Sequence, residues 1–398
     1  MSARPTRIVI NALSARTGGG LTYARNLLRH FADAERADII VLVAPGRKEL
    51  LPDGPYRIVA CDFAGRSVLH RTLWERFVVP RLLQTLEADV YYVLSGTLAA
   101  APPDGCRSVV ALRNMLPFDP ANRKLYPHGW IRFRLWLIGR AQPWSFANAD
   151  LVIFVSEYGQ QTIDTLLPER RGRSVVIPHG VSEAFLAEQP GAFQERWPEG
   201  YVLYVSILDV YKAQIEVVEA WAALLARRET REKLVLAGPE FPPYARRVRQ
   251  RIAELGLEDE VVLLGPVRHE DGLADLYRGA RINLFASHCE NCPNILLEAM
   301  ASGRPVLCSG DPPMPEFGAD AVVYFDPAVP AELTERLFEL LDDAPRLNSL
   351  ADAARSRGRE YSIERCMRET WKELLALADS ESDPNSDPKS DREPQQSR

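Results

Sequence analysis

Short, almost uninterrupted apolar runs recur along the chain, and Gly, Pro, Asp or Ser bounds most of them. Runs of this length without polar alternation are typical of strands buried on both faces of a parallel sheet. They predict two sets of strands, which cover residues 7–12, 38–44, 89–95, 107–112, 150–156 and 174–178, and then residues 201–206, 233–238, 260–265, 281–287, 304–309 and 321–325.

Between these runs, apolar residues recur every three or four positions, which indicates amphipathic helices. The alternation of strands and helices predicts an α/β fold with doubly wound parallel sheets, and its repetition predicts two such domains. In such sheets ligands bind beyond the carboxyl ends of the strands, so the loops there are candidate sites. Helices are predicted at residues 22–32, 69–86, 212–227, 243–255 and 294–301.

Changes in composition predict where the domains begin and end. We expect an N-terminal domain over residues 1–185, a Pro- and Gly-rich linker over 186–200, and a second domain over 201–360. An amphipathic C-terminal helix over 361–378 follows. Residues 379–398 have no aliphatic or aromatic side chain, a composition typical of disorder.

The composition, 46% hydrophobic and 26% charged, is that of a globular protein. The longest uncharged apolar stretch, residues 90–101, is shorter than the ~20 residues a membrane span needs. No apolar block follows the first arginines, so we expect a cytoplasmic protein. Six scattered cysteines do not predict a disulfide scaffold.

Charge is unevenly distributed. Residues 1–185 carry 23 Lys and Arg against 16 Asp and Glu, whereas the rest of the chain is strongly acidic. A basic half predicts contact with something anionic, such as a membrane surface, a lipid-linked phosphate or a nucleic acid. The alternative is that neighbouring domains simply differ in charge.

A glycine-rich loop, residues 17–20, separates the first strand from the first helix. Glycines allow backbone N–H groups to approach a ligand closely, and a helix N-terminus favours an anion. The dinucleotide-binding spacing fails at Tyr23, and no Gly-Lys-Ser/Thr follows. A flexible turn is the alternative interpretation.

A second loop carries two glutamates. Glu290 follows the strand at 281–287, and Glu298 lies within the next helix, whose N-terminus Asn291 or Asn294 could cap. Carboxylates accept hydrogen bonds from the hydroxyls of sugars or ribose. The alternative is a pair of solvated glutamates.

The run ENCPNILLEAMASGRPV, residues 290–306, resembles the E-x7-E segment of retaining GT-B glycosyltransferases of family 4, the glycosyl transferases of group 1. Other similar segments follow one another in the family's order, and the resemblance covers about residues 7–378. These segments are the glycine-rich loop, Val155-Ser156-Glu157, Ile177-Pro178-His179-Gly180-Val181, Tyr204-Val205-Ser206 with Lys212, Leu236-Ala237-Gly238, Leu264-Gly265-Pro266-Val267 and Tyr361-Ser362-Ile363.

The resemblance implies a GT-B fold, in which two Rossmann-like domains face a cleft and the C-terminal helix returns toward the N-terminal domain. It implies transfer of a hexose, with retention, from a UDP- or GDP-linked sugar to a lipid-linked or growing glycan. Mannose is the hexose suggested by the ENCPN segment. No Asp-x-Asp follows a predicted strand, and no metal or other cofactor is expected.

The resemblance also implies roles for single residues. Lys212 would neutralise the leaving diphosphate, Glu290 would contact the donor sugar, and Glu298 would hold the ribose hydroxyls. Glu290 and Lys212 are the expected catalytic residues, because charge develops on the leaving group and a fixed cation stabilises it. The remaining expected donor contacts are Gly19, Gly20, Asn291, Asn294 and Ile295.

Three departures from the family pattern affect these expectations. Ser206-Ile207 stands where the family usually has Gly-Arg, and Arg268 is a candidate replacement for the missing cation. Arg113-Asn114 stands where a histidine is common, and both are candidate acceptor or donor-sugar contacts. EGFG is replaced by ENCP, which removes one backbone N–H at Pro293.

Three further features have open interpretations. Cys289 and Cys292 with His288 could form a redox pair or half a zinc site, or be plain loop residues. His179 could be a base or an ordinary loop histidine. Residues 129–146 mix tryptophans with arginines, which favours peripheral contact with an anionic membrane surface over nucleic acid, and a partly buried helix is the alternative.

Two other functions compete with the transferase. One is a non-catalytic subunit that binds a sugar nucleotide within a glycan assembly complex, which the missing arginine and histidine favour. The other is a sugar-nucleotide epimerase on the same architecture, which would turn over its substrate without an acceptor.

Overall fold

A computed structural model describes residues 4–15, 18–33, 35–187, 196–197 and 200–379. Contacts divide the chain into two compact units, one within residues 1–110, 149–151 and 368–398, and one within 111–148 and 152–367. Most of the predicted linker at 186–200, Thr17 of the glycine-rich loop and residues 380–398 of the predicted tail lie outside the described residues. The predicted domain boundaries stay predictions.

Strands and helices alternate through the first half of the chain. In order they are β1 (Thr6–Asn11), α1 (Gly18–Arg29), β2 (Ala37–Val43), β3 (Tyr56–Ala60), α2 (Asp62–Gly65), α3 (Val68–Phe77), α4 (Val79–Thr85), β4 (Val90–Val93), β5 (Arg107–Leu112), α5 (Pro120–Leu125), α6 (Trp130–Asn148), β6 (Leu151–Phe154), α7 (Glu157–Leu166), β7 (Arg173–Val176) and α8 (Glu183–Leu186).

The same alternation continues in the second half. Its elements are β8 (Tyr201–Val205), α9 (Gln214–Arg227), β9 (Lys233–Ala237), α10 (Pro242–Glu254), β10 (Val261–Gly265), α11 (Leu273–Gly279), β11 (Ile282–Phe285), α12 (Asn294–Ala301), β12 (Val306–Ser309), α13 (Met314–Gly318), β13 (Val323–Phe325), α14 (Pro330–Leu340), α15 (Ala344–Arg359) and α16 (Ile363–Asp379).

These strands form two sheets, with the orders β3-β2-β1-β4-β5-β6-β7 and β10-β9-β8-β11-β12-β13. Neighbouring strands pair in parallel along β3-β2-β1-β4-β5 of the first sheet and along the whole second sheet. Strands β4, β6, β11 and β12 are buried at every position, as expected for parallel strands covered on both faces. The predicted pair of doubly wound sheets is confirmed.

Two local expectations differ from the structure. The short strand β3 was not predicted, because all of its residues are exposed or half-buried and Arg57 interrupts its apolar run. The helix predicted at 69–86 is two helices, α3 and α4, which meet at Val78. Pro80 explains the break, because proline has no N–H and its ring clashes with the carbonyl four residues earlier.

The C-terminal helix α16 packs against α1 within the first unit. The Trp371 indole donates from Nε1 to the Leu27 carbonyl at 2.8 Å, and its ring lies 4.7 Å from that of Phe31. Burying a side chain of this size contributes about 2–3 kcal/mol. The predicted return of the last helix toward the N-terminal part of the chain is confirmed.

Candidate active site

The second sheet reverses its winding between its two central strands, β8 and β11. Ligands in doubly wound sheets bind outside the carboxyl ends of the strands at such a switch point, because the loops diverge there and leave a crevice. The loop after β8 carries Lys212, and the loop after β11 carries Glu290. The topology therefore brings together the two residues that the sequence predicts to be catalytic.

Lys212 is held in an aromatic setting. Its side chain is only 4% exposed, and Nζ lies 4.9 Å from the centre of the Tyr211 ring and 5.4 Å from that of Phe285. Ring faces attract a cation, and the burial strengthens its interaction with any anion nearby. This ammonium group is a fixed positive charge beyond the end of β8.

The turn that carries Lys212 is fixed by Asp209. This carboxylate accepts hydrogen bonds from the Val210 N–H at 2.8 Å and from the Tyr126 hydroxyl at 2.9 Å. Burial raises the pKa of Asp209, although the hydrogen bond from Tyr126 opposes the shift. Tyr126 is itself buried and is distant from Asp209 in the sequence. The turn is therefore held in place by a contact between separate parts of the chain.

Lys212 forms an ion pair with Glu290 through Nζ and Oε1. The Ser287 hydroxyl donates to the same carboxylate oxygen at 2.7 Å, and the Ser287 carbonyl accepts from the Ser309 hydroxyl at 2.7 Å. A buried carboxylate is costly unless it is paired and hydrogen-bonded, and Glu290 has both kinds of partner. The pair is a preorganised arrangement of opposite charges.

Glu298 lies on α12, the helix that follows the Glu290 loop, and is partly buried. The Tyr277 hydroxyl donates to its Oε2 at 3.2 Å. Burial raises the pKa of Glu298 to about 7, and this hydrogen bond from Tyr277 only partly opposes the shift. A carboxylate in this state accepts protons and hydrogen bonds readily, which suits contact with ligand hydroxyls.

His179 contacts the N-terminus of α12. Its Nδ1 lies 3.0 Å from Oδ1 of Asn294, the first residue of that helix. Burial and the nearby positive charge of Arg113 lower the pKa of His179 to about 4. An imidazole with this pKa is neutral at physiological pH and is a weak base, which favours a structural role for His179.

The Asn291 amide forms hydrogen bonds through both its nitrogen and its oxygen. Its Nδ2 donates to the Leu112 carbonyl at 2.8 Å, and its Oδ1 accepts from the Ser156 hydroxyl at 2.8 Å. Both partners lie in the same unit as the Glu290 loop. The roles predicted for Asn291, Asn294 and Ile295 in donor binding stay predictions, and Ile295 is partly buried on α12.

Gly19 and Gly20 occupy the first turn of α1, in the other unit. A Cβ added at Gly19 would meet nothing within 4 Å, and one at Gly20 would make only an ordinary contact with the Ala15 backbone. Both positions are therefore open, as a loop that accepts a ligand against its backbone requires. Their predicted donor contacts are untested.

The missing arginine is not replaced in an obvious way. Arg268 is exposed and forms a bidentate ion pair with Asp271 at 2.7 and 2.9 Å. At the departure itself, Gln214 donates to the Ser206 hydroxyl at 2.7 Å and to the Ile207 carbonyl at 2.9 Å. The segment Ser206-Ile207 is thus fixed by a neutral amide.

Asn114 is exposed, and its Oδ1 accepts from the Leu116 N–H at 3.1 Å. This is a local turn of the kind that asparagine side chains commonly make. It leaves the amide nitrogen as the group available for a ligand contact by Asn114.

His288 has a structural partner. Its Nδ1 lies 3.0 Å from Oδ2 of Asp311, and this hydrogen bond raises the pKa of His288. Cys289 and Cys292 are free thiols, as are the other four cysteines. Among the described residues, no group of three or more His, Cys, Asp or Glu side chains is close enough to hold a metal.

Several supporting residues were not predicted from the sequence. Ser287 gives a weak signal, because it ends a predicted strand just before Glu290. Ser156 stands in a segment similar to the family, but nothing there indicates its contact with Asn291. Tyr126 and Tyr277 give no signal, since each contacts a partner that is distant in the sequence.

Two family models match successive parts of the chain. "Glycosyltransferase Family 4" matches residues 17–185, and "Glycosyl transferases group 1" matches residues 188–357. The chain belongs to this glycosyltransferase family. The resemblance to family 4 glycosyltransferases that the sequence motifs indicate is confirmed, and transfer with retention stays a prediction.

Curated relatives of this glycosyltransferase include the O-antigen chain mannosyltransferase B of Escherichia coli, which is 27% identical over 57% of this chain. They also include the D-inositol 3-phosphate glycosyltransferase of Thermobispora bispora, which is 34% identical over 38% of this chain. The matches span 60% and 37% of the two relatives, less than two thirds of either.

Solved structures place this glycosyltransferase in the GT-B fold. Anabaena HepE in complex with UDP and glucose has a TM-score of 0.67 at 19% identity, covering 93% of this chain and 100% of HepE. WaaG, a glycosyltransferase involved in lipopolysaccharide biosynthesis, has a TM-score of 0.67 at 16% identity, covering 92% of this chain and 99% of WaaG.

Proposed function

We propose that this protein transfers a hexose, with mannose as the first candidate, from a nucleotide-diphosphate sugar to a lipid-linked or growing glycan, with retention of configuration. The observation that carries the proposal is the ion pair of the buried Lys212 with the partly buried Glu290 at the switch point of the second sheet. Breaking a glycosyl–diphosphate bond develops negative charge on the leaving group. A desolvated cation stabilises that charge more effectively than water does.

On donor binding, the Lys212 ammonium would gain the donor diphosphate as a second anionic partner beside Glu290. In the structure it neutralises Glu290, and on donor binding its ammonium would also face the diphosphate, leaving Glu290 to accept hydrogen bonds from the sugar hydroxyls. Because Lys212 supplies the positive charge, the proposed transfer does not depend on a metal. The neutral, weakly basic His179 supports a mechanism in which the leaving phosphate takes the acceptor proton.

The names of the relatives support the donor class. HepE has been crystallised with UDP and with UDP-glucose. The Escherichia coli relative is named a mannosyltransferase, and so is the α-(1→4)-mannosyltransferase of Mycolicibacterium hassiacum. Glu298 would hold the ribose hydroxyls of such a nucleotide, because it lies on α12, the helix that directly follows the Glu290 loop.

A donor screen tests this proposal. We expect one class among UDP-, GDP-, dTDP- and CDP-sugars to raise the melting temperature, with the same shift in EDTA. A ligand that binds only the folded state adds about 2.7 kcal/mol of apparent stability at a hundredfold excess over its Kd. If none of the four classes shifts the melting temperature, the proposed donor site is wrong, and if EDTA abolishes the shift, metal independence is wrong.

The acceptor side of the proposal rests on α6. Its exposed aromatic side chains include Trp130, Phe133 and Trp136, and the guanidinium of Arg140 lies 5.5 Å from the centre of the Trp136 ring. Exposed aromatics beside arginines suit the boundary between lipid headgroups and acyl chains. We propose that this helix rests on an anionic membrane surface, where a lipid-linked acceptor would be presented.

The opposite side of α6 is tightly packed. A Cβ at Gly139 would meet the Pro117 carbonyl oxygen at 2.6 Å, so the helix approaches the turn at Leu116–Phe118 closely. The aromatic face is therefore directed outward by a close backbone contact. None of the helices that the structure describes combines the length and the apolar character needed to cross a bilayer.

Removing two aromatic side chains from α6 should weaken membrane binding. For the double variant Trp130→Ser/Trp136→Ser we expect the affinity for phosphatidylglycerol-containing vesicles to fall at least tenfold, because each ring contributes about 1–2 kcal/mol of burial and about 1.4 kcal/mol is a factor of ten. Vesicle co-sedimentation measures the affinity, and Phe338→Ser on α14 removes an aromatic side chain elsewhere that is about as exposed as Trp136. Equal losses in both variants would refute the α6 surface.

One observation favours a second candidate, a subunit that binds a sugar nucleotide without turnover. Ile207 supplies no cation, and the candidate replacement Arg268 is paired with Asp271 on the surface. A binding subunit needs no leaving-group stabilisation. Slow hydrolysis of the bound donor by the purified protein would exclude this candidate.

A further inference from the structure

Asn291 stands where the family's usual segment has glycine, and its side chain makes contacts that a glycine cannot make. Its amide is 3% exposed and bonds at both ends, to the Leu112 carbonyl and to the Ser156 hydroxyl, each at 2.8 Å. Leu112 ends β5, and Ser156 precedes α7. One amide therefore joins the Glu290 loop to two separate segments.

Helix α7 is a firm anchor for this contact. The Ser156 hydroxyl also accepts from the Gly159 N–H at 2.9 Å, which caps the helix. The Glu316 carboxylate accepts from the N–H groups of Glu157 and Tyr158 at 2.8 and 3.0 Å. Because the first turn of α7 is satisfied from two sides, it can hold the Asn291 amide in place.

Gly159 provides the space for this arrangement. A Cβ at this position would lie 2.5 Å from Oδ1 of Asn291, closer than side chains approach one another. Any larger residue would push the amide away. The fit of Gly159 and Asn291 is a specific packing contact, separate from the hydrogen bonds.

We propose that Asn291 is a positioning residue: its amide ties the Glu290 loop to β5 and α7 and so fixes the Glu290 carboxylate against Lys212. Asn291 directly follows Glu290, so holding its side chain fixes the backbone that carries the carboxylate. We call the two hydrogen bonds of the Asn291 side chain the tether. The role of Asn291 in turnover rests on the proposed function, whereas the tether itself does not. A misplacement of about 1 Å at such a site can cost a hundredfold in rate.

The test uses three variants of the full chain: Asn291→Ala, Ser156→Ala and Gly159→Ala. Thr334→Val is the matched control, because it removes a buried hydroxyl that donates to the Ala220 carbonyl, away from the loop. Hydrogen exchange of the amides at 287–292 reports the tether without any assay of activity. Donor turnover, separated into kcat and KM, reports its consequence.

We expect each of the three variants to exchange loop amides at least tenfold faster and to lose about tenfold or more in kcat/KM, mostly in kcat. Thr334→Val should change neither. The double variant Ser156→Ala/Asn291→Ala should lose no more than Asn291→Ala alone, because Asn291→Ala already removes the bond to Ser156.

Unchanged exchange in the loop would overturn the tether, as would losses that multiply in the double variant. Faster exchange with unchanged kcat would show that the tether does not position Glu290. If the wild-type protein turns over no donor, the proposed function fails, and the exchange data still decide whether Asn291 holds the loop. Gly159→Ala leaves both bonding partners intact, so it keeps the test valid if another variant folds poorly.

Discussion

Lys212→Met is expected to lower kcat/KM for the donor by a factor of about 100 to 1,000, the loss seen when a group that stabilises transition-state charge is removed. Methionine keeps the apolar stem that packs on the Tyr211 and Phe285 rings and removes only the charge. The loss should fall mainly on kcat, because charge on the diphosphate grows as the glycosyl bond breaks.

The change also removes the cationic partner of the Glu290 carboxylate, which keeps its hydrogen bond from Ser287, so the variant should unfold at a lower temperature. Rates must therefore be measured well below that temperature. Lys233→Met is the matched control, because Lys233 lies in the same unit and its ammonium donates to the Asp259 carbonyl at the surface. If Lys212→Met turns over donor as fast as this control, Lys212 has no role in leaving-group stabilisation.

The sequence predicts most of the fold because its strands are buried on both faces. Such strands are continuous apolar runs, which can be recognised in the sequence without knowing which strands lie beside them in the sheet. The strand β3 breaks this rule, since Arg57 lies within it and its pairing with β2 supplies the order that its own pattern lacks. Helix boundaries follow the same logic, and Pro80 divides one predicted helix into two.

The candidate site could be predicted only in part. Lys212 and Glu290 were found because they stand in recognisable motifs, but no pattern indicates that they pair with each other. That pairing depends on β8 and β11 being neighbours in the sheet, although nearly 80 residues separate the two side chains. Tyr126 and Asn291 show the same limit, because their partners are set by tertiary packing and not by local sequence.

The departures from the family pattern illustrate a further limit. Arg268 was one candidate for the missing cation, yet its guanidinium pairs with Asp271. Whether an arginine is free to bind a ligand depends on which carboxylate lies within reach. The sequence shows that both residues are present but not that a tight turn brings them together.

Glu298→Gln is expected to weaken binding of the nucleotide-sugar donor about tenfold to a hundredfold. Hydrogen bonds to a charged group are worth about 1.5–3 kcal/mol, and 1.4 kcal/mol is a factor of ten in affinity. Titration calorimetry measures the change, and Glu335→Gln on the surface of α14 is the matched control. If the two variants bind the donor equally well, Glu298 does not contact the ribose.

Glu298→Gln, which is expected to weaken donor binding, should stabilise the folded protein at high pH. The pKa of Glu298 is raised from 4.5 to about 7 by burial, so between these values the folded protein keeps a proton that the unfolded chain has released. The free energy of unfolding therefore falls as pH rises from about 4.5 to about 7, and the loss persists above pH 7. Urea titrations of Glu298→Gln should lack this decrease, and near pH 8 the variant should be more stable than the wild type. A neutral amide would serve the fold better at this position, and we propose that the carboxylate is kept there, at a cost in stability, to bind the donor.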